Sequence, residues 1–221
     1  MMNLMVSPER RVESRPIEDN WRKNAAALEI FPIGTILTAS DRADGPVYHI
    51  HEGCVVHSRL TTYGIAQVVD VYGPGRIFVH PSSPSLAEVR IECRYEVLSL
   101  RKHARMIHEA LVENLDRSHR HVALLCGKTA VQRIAAVLMD LALQLGADPI
   151  SRGALSLPLT RTEIGDWLGL RGETVSRVFS QLIRQKAITL DTHRRLCVKN
   201  WQTLSLIADG VDRCTGRASA L

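Results

Sequence analysis

The sequence predicts an α+β chain: an antiparallel β-roll first, then one long helix, then a winged helix-turn-helix. Three observations carry this. Between 31 and 100, short β-branched or alternating runs are separated by Gly34, Gly45, Gly53, Gly64, Gly73 and Gly75, as in a compact antiparallel barrel or jelly roll. From 101 to 126 the apolar period turns helical. From 159 to 182 two amphipathic segments meet at Gly169. The implied division is an arm over 1–27, a β-roll over 28–100, a long helix over 101–127, a winged helix-turn-helix unit over 128–208 and a flexible tail over 209–221.

Residues 1–27 are polar and charged, with Pro8 and Pro16, and read as an arm ending in a short helix near 21–28. Strands are expected at 31–37, 47–50, 54–56, 65–71 and 87–93. In the long helix His108, Leu111, Leu115, Ser118, Val122 and Leu125 recur at 3-4-3-4-3 spacing. That is a coiled-coil seam with two polar positions. It suits a homodimer through Leu111, Leu115, Ser118, Val122 and Leu125; the alternative is a helix packed on its own barrel. After Gly127, the helix over 129–145 carries a broad apolar stripe of Val131, Ile134, Ala135, Leu138, Leu141, Ala142 and Leu145. A short strand follows at 155–157.

The first of the two paired helices opens with a capping box, Thr160 and Glu163. Ile164 and Leu168 share a face, Gly165 is small where a neighbouring helix approaches, and Gly169 permits the turn. The second helix buries Val175, Phe179 and Leu182. Glu173, Ser176 and Arg177, at i, i+3 and i+4, then share the exposed face. Arg can fork onto guanine O6 and N7, and Glu can accept from cytosine N4. Thr160, Arg161, Arg171 and Thr174 are placed for DNA phosphates. Behind them 188–190 and 196–198 flank a polar turn, a hairpin wing whose Arg194 and Arg195 suit phosphates. Strict alternation turns Cys197 outward between Arg195 and Lys199, where cations favour a reactive thiolate and a redox switch; the alternative is an unreactive Cys partly covered by the domain. A last short helix is expected at 201–208.

Gly169-Leu170-Arg171-Gly172-Glu173-Thr174-Val175-Ser176-Arg177 resembles the recognition-helix signature of the Crp/Fnr superfamily, in the form of its Fnr and FixK branches. Arg184 to Ile188 and Arg194-Arg195 are similar to the wing of FixK proteins. The resemblance implies a transcription activator whose Glu173, Ser176 and Arg177 read TTGA-type half-sites of a palindrome. It also implies a homodimer, RNA polymerase as a partner, and a first half built like a cyclic-nucleotide-binding β-roll. One departure is Arg171-Gly172, where the family has a Ser or Thr cap; that loss is worth ~1 kcal/mol.

The sensor motifs of the superfamily are missing. Arg76 stands near the position of the phosphate-cassette Glu, Pro81 and Pro84 interrupt the cassette helix, and no Arg-Ser follows. No cysteine precedes Cys54, whereas an Fnr-type cluster needs four thiolates. The expectation is DNA binding without a cofactor, and no residue set suggests catalysis. The rival is a switch sensing haem, a metal or a small effector through the β-roll. For it, His49 and His51 are weak metal candidates, with His57, His80 or Cys54 as partners. A cupin-like metal enzyme is a remote third. Charge agrees with DNA: from Ile150 onward there are eleven Lys/Arg against six Asp/Glu, and the rest of the chain balances. Five scattered cysteines without Cys-x-x-Cys argue against a disulfide framework or structural zinc. The absence of a signal peptide or an apolar run of ~20 residues predicts a cytoplasmic protein away from membranes.

Overall fold

A computed structural model describes residues 28–38, 45–79, 84–146, 154–192 and 195–210. The expected arm, all but Leu28 of its helix near 21–28, and the chain beyond 210 lie outside the described residues.

Two 14-residue strands form the spine of the roll. β3 (Val47–Leu60) and β6 (Ser85–Leu98) pair antiparallel from Val47↔Leu98 to Arg59↔Ser85. β1 (Glu29–Phe31) and β2 (Ile36–Thr38) pair with β6, while β4 (Ala66–Tyr72) and β5 (Ile77–Val79) pair with β3. Alternate residues of both spine strands face inward. Tyr48, Ile50, Val89, Tyr95 and Val97 therefore meet Phe31 and Phe78 in one apolar cluster. Phe31 stacks on Tyr95 with centroids 3.7 Å apart.

The strand expectations change in two places. The run 31–37 is two strands, because Pro32 cannot donate to a ladder and its carbonyl accepts the Thr35 amide in a turn. The runs 47–50 and 54–56 are one strand. Gly53, read as a turn, lies where the register shifts three times between Ile50 and Val55, so the strand bends instead of ending.

α1 (Ala104–Gly127) leaves the roll along its outer surface and buries only Ile107 and Arg117. Ile107 packs with Val47, Ile77 and Leu98. Arg117 Nη2 donates to Asp70 Oδ1 at 2.6 Å and to the Val71 carbonyl at 3.1 Å. α2 (Ala130–Gln144) starts with the Gln132 side chain accepting from the Thr129 amide at 2.7 Å, and buries Ile134, Ala135, Leu138, Leu141 and Ala142 of the expected stripe, with Val131 and Leu145 partly buried. Next come β7 (Ala154–Ser156), α3 (Arg161–Leu168), α4 (Gly172–Arg184), β8 (Ile188–Thr192), β9 (Arg195–Val198) and α5 (Trp201–Asp209).

One apolar cluster joins the halves: Cys54, Val56, Val68 and Val71 of the roll pack with Ile134, Leu138 and Leu141 of α2, and Ile164 and Leu168 of α3. Two hydrogen bonds reinforce it. Trp167 Nε1 donates to the Val69 carbonyl at 3.1 Å, and Arg90 Nη2 donates to Glu163 Oε1 at 2.6 Å. No helix among the described residues is long and apolar enough to cross a membrane.

Candidate nucleic-acid interface

α3 begins as its capping box dictates. Thr160 Oγ1 accepts from the Glu163 amide at 3.2 Å, and Glu163 Oε2 accepts from the Thr160 amide at 2.7 Å. Burial pushes the Glu163 carboxyl up, but Thr160 and Arg90 outweigh that and hold it below its ordinary range. Gly169 ends the helix at φ 64°. Gly165 lies so close to the turn and the next helix that a Cβ there would stand 2.6 Å from the Leu170 carbonyl oxygen and 3.4 Å from Val175 Cγ2. A larger residue would force α3 and α4 apart.

α4 buries Val175, Val178, Phe179 and Leu182, each side chain worth ~1.5–3 kcal/mol when fully buried. With that face fixed, Glu173, Ser176 and Arg177 are exposed together, as the spacing predicts. Glu173 Oε2 and Arg177 Nη2 lie 3.6 Å apart, with 83% and 78% of their side chains exposed. A pair so solvated is weak, and both groups are free to exchange it for other partners.

The expected phosphate set divides. Thr160, Arg171 and Arg195 are exposed and Thr174 is partly exposed. Arg161 is half-buried, its guanidinium carbon 3.3 Å from the Phe179 ring centroid, so it also packs the two helices together. Arg194 lies outside the described residues. Sequence reasoning missed Ser180 and Arg184, both exposed. They continue the outward face of α4 by the same three- and four-residue steps from Ser176 and Arg177 that could have found them. Arg184 borders a groove with Ala130, Thr174 and Arg177.

Cys197 requires a correction. It is buried, not exposed. β9 is the centre of a three-stranded sheet, so Cys197 is paired with Ala154 on one side and Thr189 on the other. Leu196 and Val198 are buried too. The alternation argument assumed a two-stranded hairpin, whereas Cys197 lies on a central strand with a neighbouring strand on each side. An exposed redox thiolate at Cys197 has no structural support.

In the proposed seam, Leu111, Leu115 and Val122 are 48%, 57% and 57% exposed. Ser118 is exposed, while Leu125 is partly buried against the chain's own core. In the roll, His49 and His51 do share a face, with ring centroids 4.3 Å apart. The partners considered for them are elsewhere: Cys54 is buried in the core, His57 packs against Phe78, and His80 lies outside the described residues.

A closely packed helix pair, an outward polar face on the second helix and a three-stranded wing define a winged helix-turn-helix regulator. Comparison with known proteins gives the same class. Residues 132–207 match the Crp-like helix-turn-helix domain. The chain is 31% identical over 163 residues to the nitrogen fixation regulation protein FixK of Rhizobium meliloti (strain 1021), covering 71% of this chain and 75% of that protein. It is 27% identical over 160 residues to the transcriptional activator protein Anr of Pseudomonas protegens, covering 66% of each. Among solved structures, FixK2 from Bradyrhizobium japonicum matches with a TM-score of 0.69 at 28% identity, over 82% of this chain and 98% of that one. This chain belongs to the Crp/Fnr family of transcription regulators, close to FixK. These relatives are regulators, not enzymes.

Proposed function

We propose that the protein is a cytoplasmic transcription activator that binds a palindromic TTGA-type site as a homodimer, without a bound effector, and engages RNA polymerase there. The observation that carries this is the coexistence of two exposed faces of opposite character: a polar one on α4 and an apolar one on α1. Arg177 reads guanine, Glu173 accepts from cytosine N4 on the opposite strand, and Ser176 contacts a neighbouring base. Thr160, Arg161, Arg171, Thr174, Arg194 and Arg195 fix the register on phosphates. α4 has no side-chain cap, so its first amides are open to a phosphate oxygen as well. Leu111, Leu115, Ser118 and Val122 form the seam between copies, with Leu125 at its inner edge.

Selection of bound sequences from random DNA by the purified chain, with no small molecule added, tests this. The expected result is an inverted repeat with half-sites about 34 Å apart, bound by two chains. Enrichment of single half-sites by one chain would overturn the dimer, and no enrichment would overturn effector-free binding. A second reading, a small-effector switch, is favoured by one feature. A cavity between β4, α1, α2 and α3 is lined by Asp70, Arg117, His121, Asp140 and Trp167, polar groups that could hold such a molecule. Enrichment that appears only when a small-molecule extract is added would select it.

A further inference from the structure

His49, His51 and Glu96 form a cluster that the DNA-binding role does not use. His49 on β3 is the direct Cα partner of Glu96 on β6. Residues directly opposite on an antiparallel pair have neighbouring side chains on one face. His51 is two residues further along. Between Ile50↔Tyr95 and Glu52↔Arg94, β3 has one residue more than β6. That extra residue is His51, and a bulge of this kind re-aims the side chain it carries. The result is that one ligand atom from each of the three residues lies within 4.8 Å of the others. His51 Nε2 stands 3.5 Å from Glu96 Oε2, too far for a good hydrogen bond. Among the described residues His49 makes a ring contact with His51 and no hydrogen bond. Both rings thus have nitrogen lone pairs available on a surface that a hydrated ion can reach.

We propose that His49, His51 and Glu96 bind one divalent transition-metal ion on the outer face of the roll. Two imidazoles and a carboxylate are borderline donors, suited to Zn²⁺ and its neighbours and unsuited to Ca²⁺ or Mg²⁺. Three protein ligands leave at least one position for water, so the site is open, unlike a closed structural site. It sits at the root of α1: Val47 and Leu98, each two residues from a ligand, pack on Ile107.

The test is titration of the tag-free full chain with Co²⁺, followed by displacement with Zn²⁺. One equivalent per chain is expected, with visible absorption bands that Zn²⁺ abolishes. His49→Ala, His51→Ala and Glu96→Gln should each lower Zn²⁺ affinity at least tenfold, while His119→Ala, on exposed α1 surface, should leave it unchanged. Thermal melts without metal show that each variant is folded. A wild type that binds no Co²⁺ or Zn²⁺ at millimolar concentration would overturn the proposal. So would folded variants at 49, 51 and 96 that bind as tightly as wild type, or one at 119 that does not.

Discussion

α1 and α4 are both two-faced helices, but they are turned in opposite senses. α4 places Val175, Val178, Phe179 and Leu182 inward and shows solvent a face of Glu173, Ser176, Arg177, Ser180 and Arg184. Its main apolar face is packed within one chain, and apart from Ile183 what remains outside is mostly hydrogen-bonding capacity. α1 does the reverse. Toward the roll it packs one apolar anchor, Ile107, and otherwise presents Asn114 to the Ile77 carbonyl and Arg117 to Asp70, with Arg76 bonded to Glu113 nearby. Away from the roll it shows Leu111, Val112, Leu115 and Val122. The difference separates two kinds of partner. A solvated polar stripe loses little by remaining in water and can wait for DNA. An apolar stripe on a helix gains from being covered, and in the proposed dimer a second copy would supply a matching one.

Four substitutions test that contrast. The largest effect is expected for Leu115→Glu on the outer face of α1, which sets like charges against each other across the seam. Sedimentation should show monomers, and palindrome affinity should fall to the non-specific level, roughly 10³-fold or more. A dimer that survives would place the seam elsewhere. Arg117→Met tests the inner face of the same helix. It leaves the partly buried Asp70 carboxylate without its cation, which costs up to about 3–5 kcal/mol of stability. Calorimetry should then show Tm lower by roughly 10 °C, and an unchanged Tm would make that polar face ornamental. Arg177→Ala on the outer face of α4 should cost about 1–3 kcal/mol on the selected site and relax preference at one guanine per half-site. Equal losses on random DNA would mean that Arg177 contacts only phosphate. The smallest effect concerns pH. Because the Glu163 carboxyl is held below its ordinary range in the folded protein, its contribution is present above pH ~4.3 and fades as pH falls through the lower folded value. Glu163→Gln should flatten the acid limb of the stability curve by a few tenths of a kcal/mol; an identical limb would assign it to other carboxylates.

Much of the candidate interface was legible because it is local. Thr160 and Glu163, Gly165 and Gly169, and the i, i+3, i+4 face of α4 lie within 18 residues, so helix periodicity alone orders them. The roll was legible as a class but not in detail, because its strand ends are set by partners far away in sequence. Cys197 fails for the same reason. It lies on a central strand paired with β7, some 40 residues earlier, which alternation within a hairpin does not register. The grouping of Glu96 with His49 and His51 likewise depends on the register of two strands and one bulge. Arg90, which ties the roll to Glu163, lies 73 residues from it and carries no sequence motif.

That tie, and the core it borders, bear on how the chain comes apart. The boundary suggested by the sequence, near residue 128, cuts through a shared core. Val56, Val68 and Val71 share theirs with Leu138 and Ile164, and Trp167 is bonded to the Val69 carbonyl. Neither half can melt without uncovering apolar surface on the other, so heating should give one endotherm with equal calorimetric and van't Hoff enthalpies. A fragment starting at 128 would keep the whole recognition helix and wing yet expose α2 and α3 where the roll now covers them. The region that contacts DNA is, in folding terms, half of a single cooperative unit.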